Sequence, residues 1–180
     1  MVQQKGYDLA VEAARILQQR GLSFRWYLVG DGRARARLEQ KVKEMDTAQE
    51  VTFVGRVSEK EADRYVHFAD CAYLSFNDNK IFNMTLPAKL QTYLACGTPI
   101  LAAAGGESAR LVGENGIGFV CRPRLEELVA AAKQAASMSR QEAGAMSAKA
   151  RAYYEQHFTM DTLVTELEEM LKEEINKQEC

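Results

Sequence analysis

The sequence predicts an α/β protein: a doubly wound parallel sheet with helices on both faces, followed by two more helices at the carboxyl end. Three observations predict it. Short runs rich in β-branched and aromatic residues recur along the first two thirds of the chain, the intervals between them are long enough for a helix, and those intervals carry helical spacing. The runs are also too continuously apolar for strands wetted on one face, which is the mark of parallel strands covered on both sides.

The strands are expected at SFRWYLVG (23–30), EVTFVG (50–55), DCAYLSF (70–76), TPILAA (98–103) and GIGFVC (116–121). Before the first of them, Leu9, Ala13, Ile16 and Leu17 fall on one side of a helix, and Gly21 supplies its stop. Further helices are expected at about 32–46, 59–68, 85–96, 106–113 and 124–137. Ser58 opens the segment SEKEAD with Glu61 three residues on, the pattern of a capping box. Beyond residue 138 the strands stop and two consecutive helices are expected, about 139–156 and 160–176. In the second, Leu163, Val164, Leu167, Leu171 and Ile175 make an apolar stripe opposite Glu166, Glu169, Lys172 and Glu173; it either packs on this domain or serves a neighbour. A sheet wound in this way normally begins with a strand, whereas this chain begins with a helix. The expectation is one domain over residues 1–180, with its first strand and a preceding domain lying upstream.

Composition removes several classes. With 47% hydrophobic and 27% charged residues, 3 Pro and 12 Gly, the chain is neither collagen-like nor low-complexity nor disordered. A net charge of -2 gives no general attraction for nucleic acid or anionic lipid, so no nucleic acid partner is expected. No apolar run approaches the roughly 20 residues of a membrane span. MVQQKGYD lacks the basic start and apolar middle of a secretory signal, so a cytoplasmic location is expected. The cysteines at 71, 96, 121 and 180 and the histidines at 67 and 157 match neither a zinc-ligand spacing nor a disulfide framework. Cys71, Cys96 and Cys121 read as small hydrophobes, His67 and His157 as structural residues, and no metal or cofactor site is expected.

Parallel sheets place ligands beyond the carboxyl ends of their strands. Four turns lie there: GDG at 30–32, GRV at 55–57, FNDNKIFNMTLPAKL at 76–90 and AGGE at 104–107. Gly30 and Gly32 around Asp31 permit close approach of a ligand and equally suit a plain strand-to-helix turn. The third glycine of a dinucleotide fingerprint is missing, and there is no GxxxxGK[ST] phosphate loop. Arg33, Arg35 and Arg37 spread round a helix as solvated charge. The third turn is longer and more polar than a connector requires, holding Asn77, Asp78, Asn79, Lys80, Asn83 and Thr85 before Pro87. A helix starting there presents unpaired N–H groups to a phosphate, with Thr85 and Lys89 adding a hydroxyl and a cation.

KGYDLAVEAARIL, WYLVGDGRARARLEQ, EVTFVGRVSEKEADRYVHFADCAYLSF, KLQTYLACGTPILAA, GGESARLV, ENGIGFVC and YYEQHF occur in that order over nearly the whole chain. This succession resembles the carboxyl-terminal, donor-nucleotide-binding half of family 4 glycosyltransferases, whose GT-B fold sets two Rossmann-like domains face to face. The resemblance implies one half of a GT-B fold that binds a nucleotide-diphosphate sugar, a UDP-sugar being favoured. It further implies retaining, metal-independent transfer to an acceptor hydroxyl in polysaccharide or lipopolysaccharide biosynthesis. Lys5, in the Lys5-Gly6 pair, matches a lysine on the donor diphosphate. Gly30 and Gly32 match the loop beneath the donor, and Gly55, Arg56 and Val57 a turn bordering the base. Thr85, Leu86, Pro87 and Lys89 match the diphosphate-binding helix start.

The sequence departs from the family where two glutamates are usual eight positions apart, one on the sugar and one on the ribose. Met84 and Thr92 stand there, as in a subset of bacterial surface-polysaccharide transferases with a similar TLPAKLQTYLACG run. Thr92 offers ribose a hydroxyl in place of a carboxylate. The partners implied are the nucleotide-sugar donor and an amino-terminal acceptor-binding domain, with the inner face of the membrane reached only through that second half. These 180 residues alone are expected not to turn over. Two other readings stay open: a non-catalytic nucleotide-binding or protein-interaction module of the same fold, and a sugar-nucleotide epimerase, which would need a histidine and carboxylate acid-base pair.

Overall fold

The computed structural model describes residues 6–76 and 80–178. Helices and strands alternate as the pattern requires: α1 (Tyr7–Gln19), β1 (Trp26–Val29), α2 (Arg35–Glu44), β2 (Val51–Gly55), α3 (Glu59–Phe68) and β3 (Ala72–Ser75). The polar segment that follows holds a short helix, α4 (Lys80–Asn83), before α5 (Ala88–Ala95). Then come β4 (Ile100–Ala103), α6 (Gly106–Glu114), β5 (Gly118–Cys121), α7 (Leu125–Ala136), α8 (Arg140–His157) and α9 (Met160–Gln178). Sequence periodicity gives no sign of α4. Helix α5 starts three residues later than its periodicity suggests, because the residue before a proline is kept out of the helical region. Pro87 itself sits at the cap in extended backbone, at φ −75° and ψ 146°.

All strand pairs are parallel, but the ladders form two sheets, β1–β2 and β3–β4–β5, where the sequence suggests one. Strands β1 and β3 do not pair with each other, although the Trp26 and Tyr73 rings meet edge to face with centroids 4.9 Å apart. The helices lie on both faces. On one side Ala13 and Leu17 of α1 and Leu128, Val129 and Ala132 of α7 cover Leu101, Ala103 and Cys121. On the other, Leu90 and Leu94 of α5, Leu111 and Val112 of α6 and Ala150 of α8 cover Leu74, Ile100 and Ala102. Every residue of β4 is therefore buried, odd positions against one helix layer and even positions against the other. A third cluster packs Val11 and Ala14 of α1 and Leu38 and Val42 of α2 on Leu28 and Val51.

The capping box at Ser58 forms with Glu61, and a second forms between Ser139 and Glu142 at the start of α8. The stripe on α9 stays largely exposed, with Leu167, Leu171 and Ile175 each above half of full accessibility, so this helix is not buried on the domain. No helix among the described residues is long and apolar enough to cross a membrane.

Strand β5 presses so closely on β4 that a Cβ on Gly118 would lie 2.0 Å from the Ile100 carbonyl oxygen. Gly118→Ala is expected to lower stability by about 1 to 3 kcal/mol, as overpacking does. Gly144, exposed inside α8 with nothing within 4 Å of a Cβ, is the control. Its replacement by Ala is expected to raise stability by about 0.5 to 1 kcal/mol, both changes being read by urea denaturation.

Candidate functional site

The turns after β1 and β2 interlock. The Gly30 N–H donates to the Gly55 carbonyl at 2.7 Å, the Gly32 N–H to the Asp31 carboxylate at 2.7 Å, and the Arg35 N–H to the Gly32 carbonyl at 2.9 Å. The Arg56 side chain is 86% exposed and stands 4.0 Å from the Asp31 carboxylate. Gly30, Gly32, Gly55 and Arg56 thus form one rim, and half-buried Val57 follows it in the chain. The arginines that follow Gly32 divide in role: Arg35 pairs with Glu39 at 2.7 Å, and Arg37 with Asp8 of α1.

A second group assembles where β3 and β4 end. The Ser108 hydroxyl donates to the Thr85 carbonyl at 3.4 Å, which holds the segment before α5 against the first turn of α6. Asn83 lies on the Gly105–Gly106 turn. Gly106 has φ +63°, and a Cβ there would sit 2.0 Å from the Asn83 carbonyl oxygen, so only glycine fits. Pro87 caps α5 and Gly105 caps α6, and neither cap residue brings a side chain that bonds its helix start. Lys89, in the first turn of α5, donates to the Tyr7 hydroxyl at 3.1 Å and stands 5.7 Å from the centre of its ring. Tyr7 opens α1, whose cap, Gly6, is likewise without a side-chain bond. A recess of about 170 Å³ is lined by Tyr7, Tyr73, Ser75, Phe76, Pro87 and Lys89.

The first turn of α1 joins the two groups, with Tyr7 reaching Lys89 on one side and Asp8 reaching α2 on the other. Asp8 accepts a forked pair of bonds from the Arg37 guanidinium, one of them 2.6 Å, and lies 3.6 Å from the Lys41 ammonium. The Arg37 hydrogen bond holds the Asp8 carboxyl below the usual carboxylate range against the opposing effect of burial. Lys41 also pairs with Glu12, so α2 is tied to α1 by charge at two successive turns.

The structure therefore brings together Gly30, Gly32, Gly55 and Arg56 on one rim, with Val57 next in the chain, and Thr85, Leu86, Pro87 and Lys89 on the other. Lys5 and residues 77–79 lie outside the described residues. Thr92 sits one turn beyond Lys89 with its hydroxyl turned back 3.5 Å from the Ala88 carbonyl, while Met84 is 70% exposed. Sequence reasoning missed Tyr7 and the seating of Asn83 on Gly105–Gly106, contacts between distant positions that no local spacing encodes. His67 and His157 are exposed at the ends of α3 and α8. Burial pushes the Cys71 thiol up to about 12 and the Cys121 thiol to about 11, so neither is a nucleophile at neutral pH.

Residues 1–153 match the family model described as glycosyl transferases group 1. The chain belongs to this glycosyltransferase family. The amylovoran biosynthesis glycosyltransferase AmsK of Erwinia amylovora is 26% identical over 173 residues, covering 96% of this chain and 42% of AmsK. Among solved structures, Anabaena Alr3699/HepE in complex with UDP superimposes with a TM-score of 0.80 at 19% identity, over 96% of this chain and 46% of that one. A glycosyltransferase of Rickettsia africae ESF-5 gives 0.81 at 18% identity, over 96% and 45%. The chain thus has the fold of one half of a GT-B glycosyltransferase, and spans under half the length of these relatives.

The Asp8–Arg37 bond makes an acid-side prediction. A carboxyl whose folded pKa is depressed contributes stability above its unfolded pKa, near 4, and loses it as pH falls through the folded value. Asp8→Asn is expected to be less stable than the parent at pH 7 and to approach it below about pH 3, in urea denaturation repeated across that range.

Proposed function

We propose that this chain is the donor-binding, carboxyl-terminal half of a retaining, family 4 type glycosyltransferase. It binds a nucleotide-diphosphate sugar, a UDP-sugar being favoured, for transfer to an acceptor hydroxyl in polysaccharide or lipopolysaccharide biosynthesis. One observation carries this reading: the starts of α5 and α6, whose cap residues Pro87 and Gly105 bring no capping side chain, are held together at Thr85–Ser108 beside Lys89. Two helix N-termini and an ammonium group suit the two charges of a diphosphate. The AmsK match and the HepE complexes, which include one with UDP-glucose, support the ligand class.

In this reading the diphosphate lies over Ala88, Lys89 and the amides at the Gly105–Gly106 turn, against which Asn83 packs. The base and ribose lie toward Gly30, Gly32, Gly55, Arg56 and Val57. Lys5, which precedes Gly6 in the sequence, is proposed as a second cation. As the glycosidic bond breaks, negative charge grows on the departing diphosphate, and dipoles and cations already in place stabilise it without reorganising. Among the described residues no three His, Cys, Asp or Glu side chains gather where a metal could be held. With Met84 and Thr92 in place of acidic residues, ribose and sugar are recognised through hydroxyl and backbone groups. The acceptor and the remaining catalytic groups come from a facing domain, so these 180 residues alone bind donor and do not turn over.

Calorimetric titration with UDP tests the reading. Binding is expected, unchanged by EDTA, and Lys89→Ala is expected to weaken it by about 1 to 3 kcal/mol, the range for a charge-assisted hydrogen bond. No heat at millimolar UDP would favour a module that has kept the fold without the ligand, and unchanged affinity in Lys89→Ala would remove Lys89 from the site.

A further inference from the structure

We infer that Tyr7 is a positioning residue of the donor site: its hydroxyl and ring hold the Lys89 ammonium where the diphosphate arrives. This role rests on the nucleotide reading and adds to it a residue of α1 that acts on the ligand only through Lys89.

A lysine at the surface is a point charge on a flexible stem, and a ligand that recruits it must first order it. Lys89 is exposed, yet its ammonium already has a place. It donates to the Tyr7 hydroxyl at 3.1 Å and stands 5.7 Å from the centre of the Tyr7 ring, so one side chain holds it through both a hydrogen bond and a π-face. An ammonium carries three N–H donors, and this bond uses one of them, which leaves two for phosphate oxygens. The partner is also uncharged. A carboxylate in the same position would hold Lys89 as firmly but cancel the charge that draws an anionic ligand.

Tyr7 is itself fixed. It is the first residue of α1, half-buried, and packs against the cluster that Val11 and Ala14 form with Leu28 of β1 and Leu38 of α2. The next residue, Asp8, takes the forked bond from Arg37 of α2, which anchors that first turn. Lys89 belongs to a different layer, because α5 packs through Leu90 and Leu94 on Leu74 and Ile100. The Tyr7–Lys89 contact crosses 82 positions and links the packing around the β1–β2 sheet to a helix on the β3–β4–β5 sheet. It therefore sets where the cation of one rim lies relative to the Gly30 and Gly55 turns of the other. Beside the pair, the recess of about 170 Å³ bounded by Tyr7, Ser75, Phe76 and Pro87 is smaller than pockets that take whole ligands, and suits a single group such as one phosphate.

Calorimetric titration with UDP of the parent, Tyr7→Phe, Lys89→Ala and the double variant tests the role. Tyr7→Phe keeps the ring and removes the hydroxyl. It is expected to melt within about 2 °C of the parent, as a change outside the core does, and to weaken UDP binding about 3- to 10-fold, the cost of ordering one side chain. In the Lys89→Ala background the same change is expected to alter affinity by less than about twofold, because the group through which Tyr7 acts is gone. A purely structural contribution of Tyr7 would persist without Lys89. Parent affinity in Tyr7→Phe, or an equal loss with and without Lys89, would overturn the inference and leave the nucleotide reading standing. No heat from the parent at millimolar UDP would remove the nucleotide reading, and the role of Tyr7 with it.

Discussion

Parallel strand pairing is the constraint on which the rest of this molecule depends. Within each sheet it sends every carboxyl end the same way, so each following helix begins on that side with its N–H groups and the positive end of its dipole exposed. The interlocked Gly30 and Gly55 turns, the Thr85 to Lys89 segment and the Gly105–Gly106 turn are all products of that direction. Parallel pairing also requires strands buried on both faces, which is why β4 is apolar at every position and why helices cover it on two sides.

Most of the element order was legible because two periods with different physics alternate along the chain. Apolar runs marked all five strands, and Gly21 and Ser58 marked helix ends through backbone freedom and side-chain capping that act locally. Local signals failed where a distant contact decides. The sequence does not show that β1 and β3 leave each other unpaired and so split the strands into two sheets, and α4 forms inside a polar segment. The same division holds at the site. Gly30, Gly32, Gly55 and Pro87 announce themselves by type and by position after a strand or before a helix. The Lys89–Tyr7 contact spans 82 positions and leaves no trace in spacing.

Charge at this surface has two uses. Arg37 and Lys41 hold α2 to α1 through Asp8 and Glu12, and so fix the first turn of α1 where the two rims meet. Lys89 is exposed, and its neighbour is an uncharged hydroxyl, which leaves its charge uncompensated by any carboxylate that the structure places on it among the described residues. An ammonium held by a tyrosine rather than by a carboxylate suits a ligand that brings the negative charge itself.

Amide chemical-shift mapping during a UDP titration is the sharpest test of the proposal that a nucleoside diphosphate lies across the joined starts of α5 and α6. Saturable shifts are expected at Ala88, Lys89, Gly105, Gly106 and Glu107, with a second set at Gly30, Gly32, Gly55 and Arg56. Shifts confined to other surfaces, or none at millimolar UDP, would contradict it.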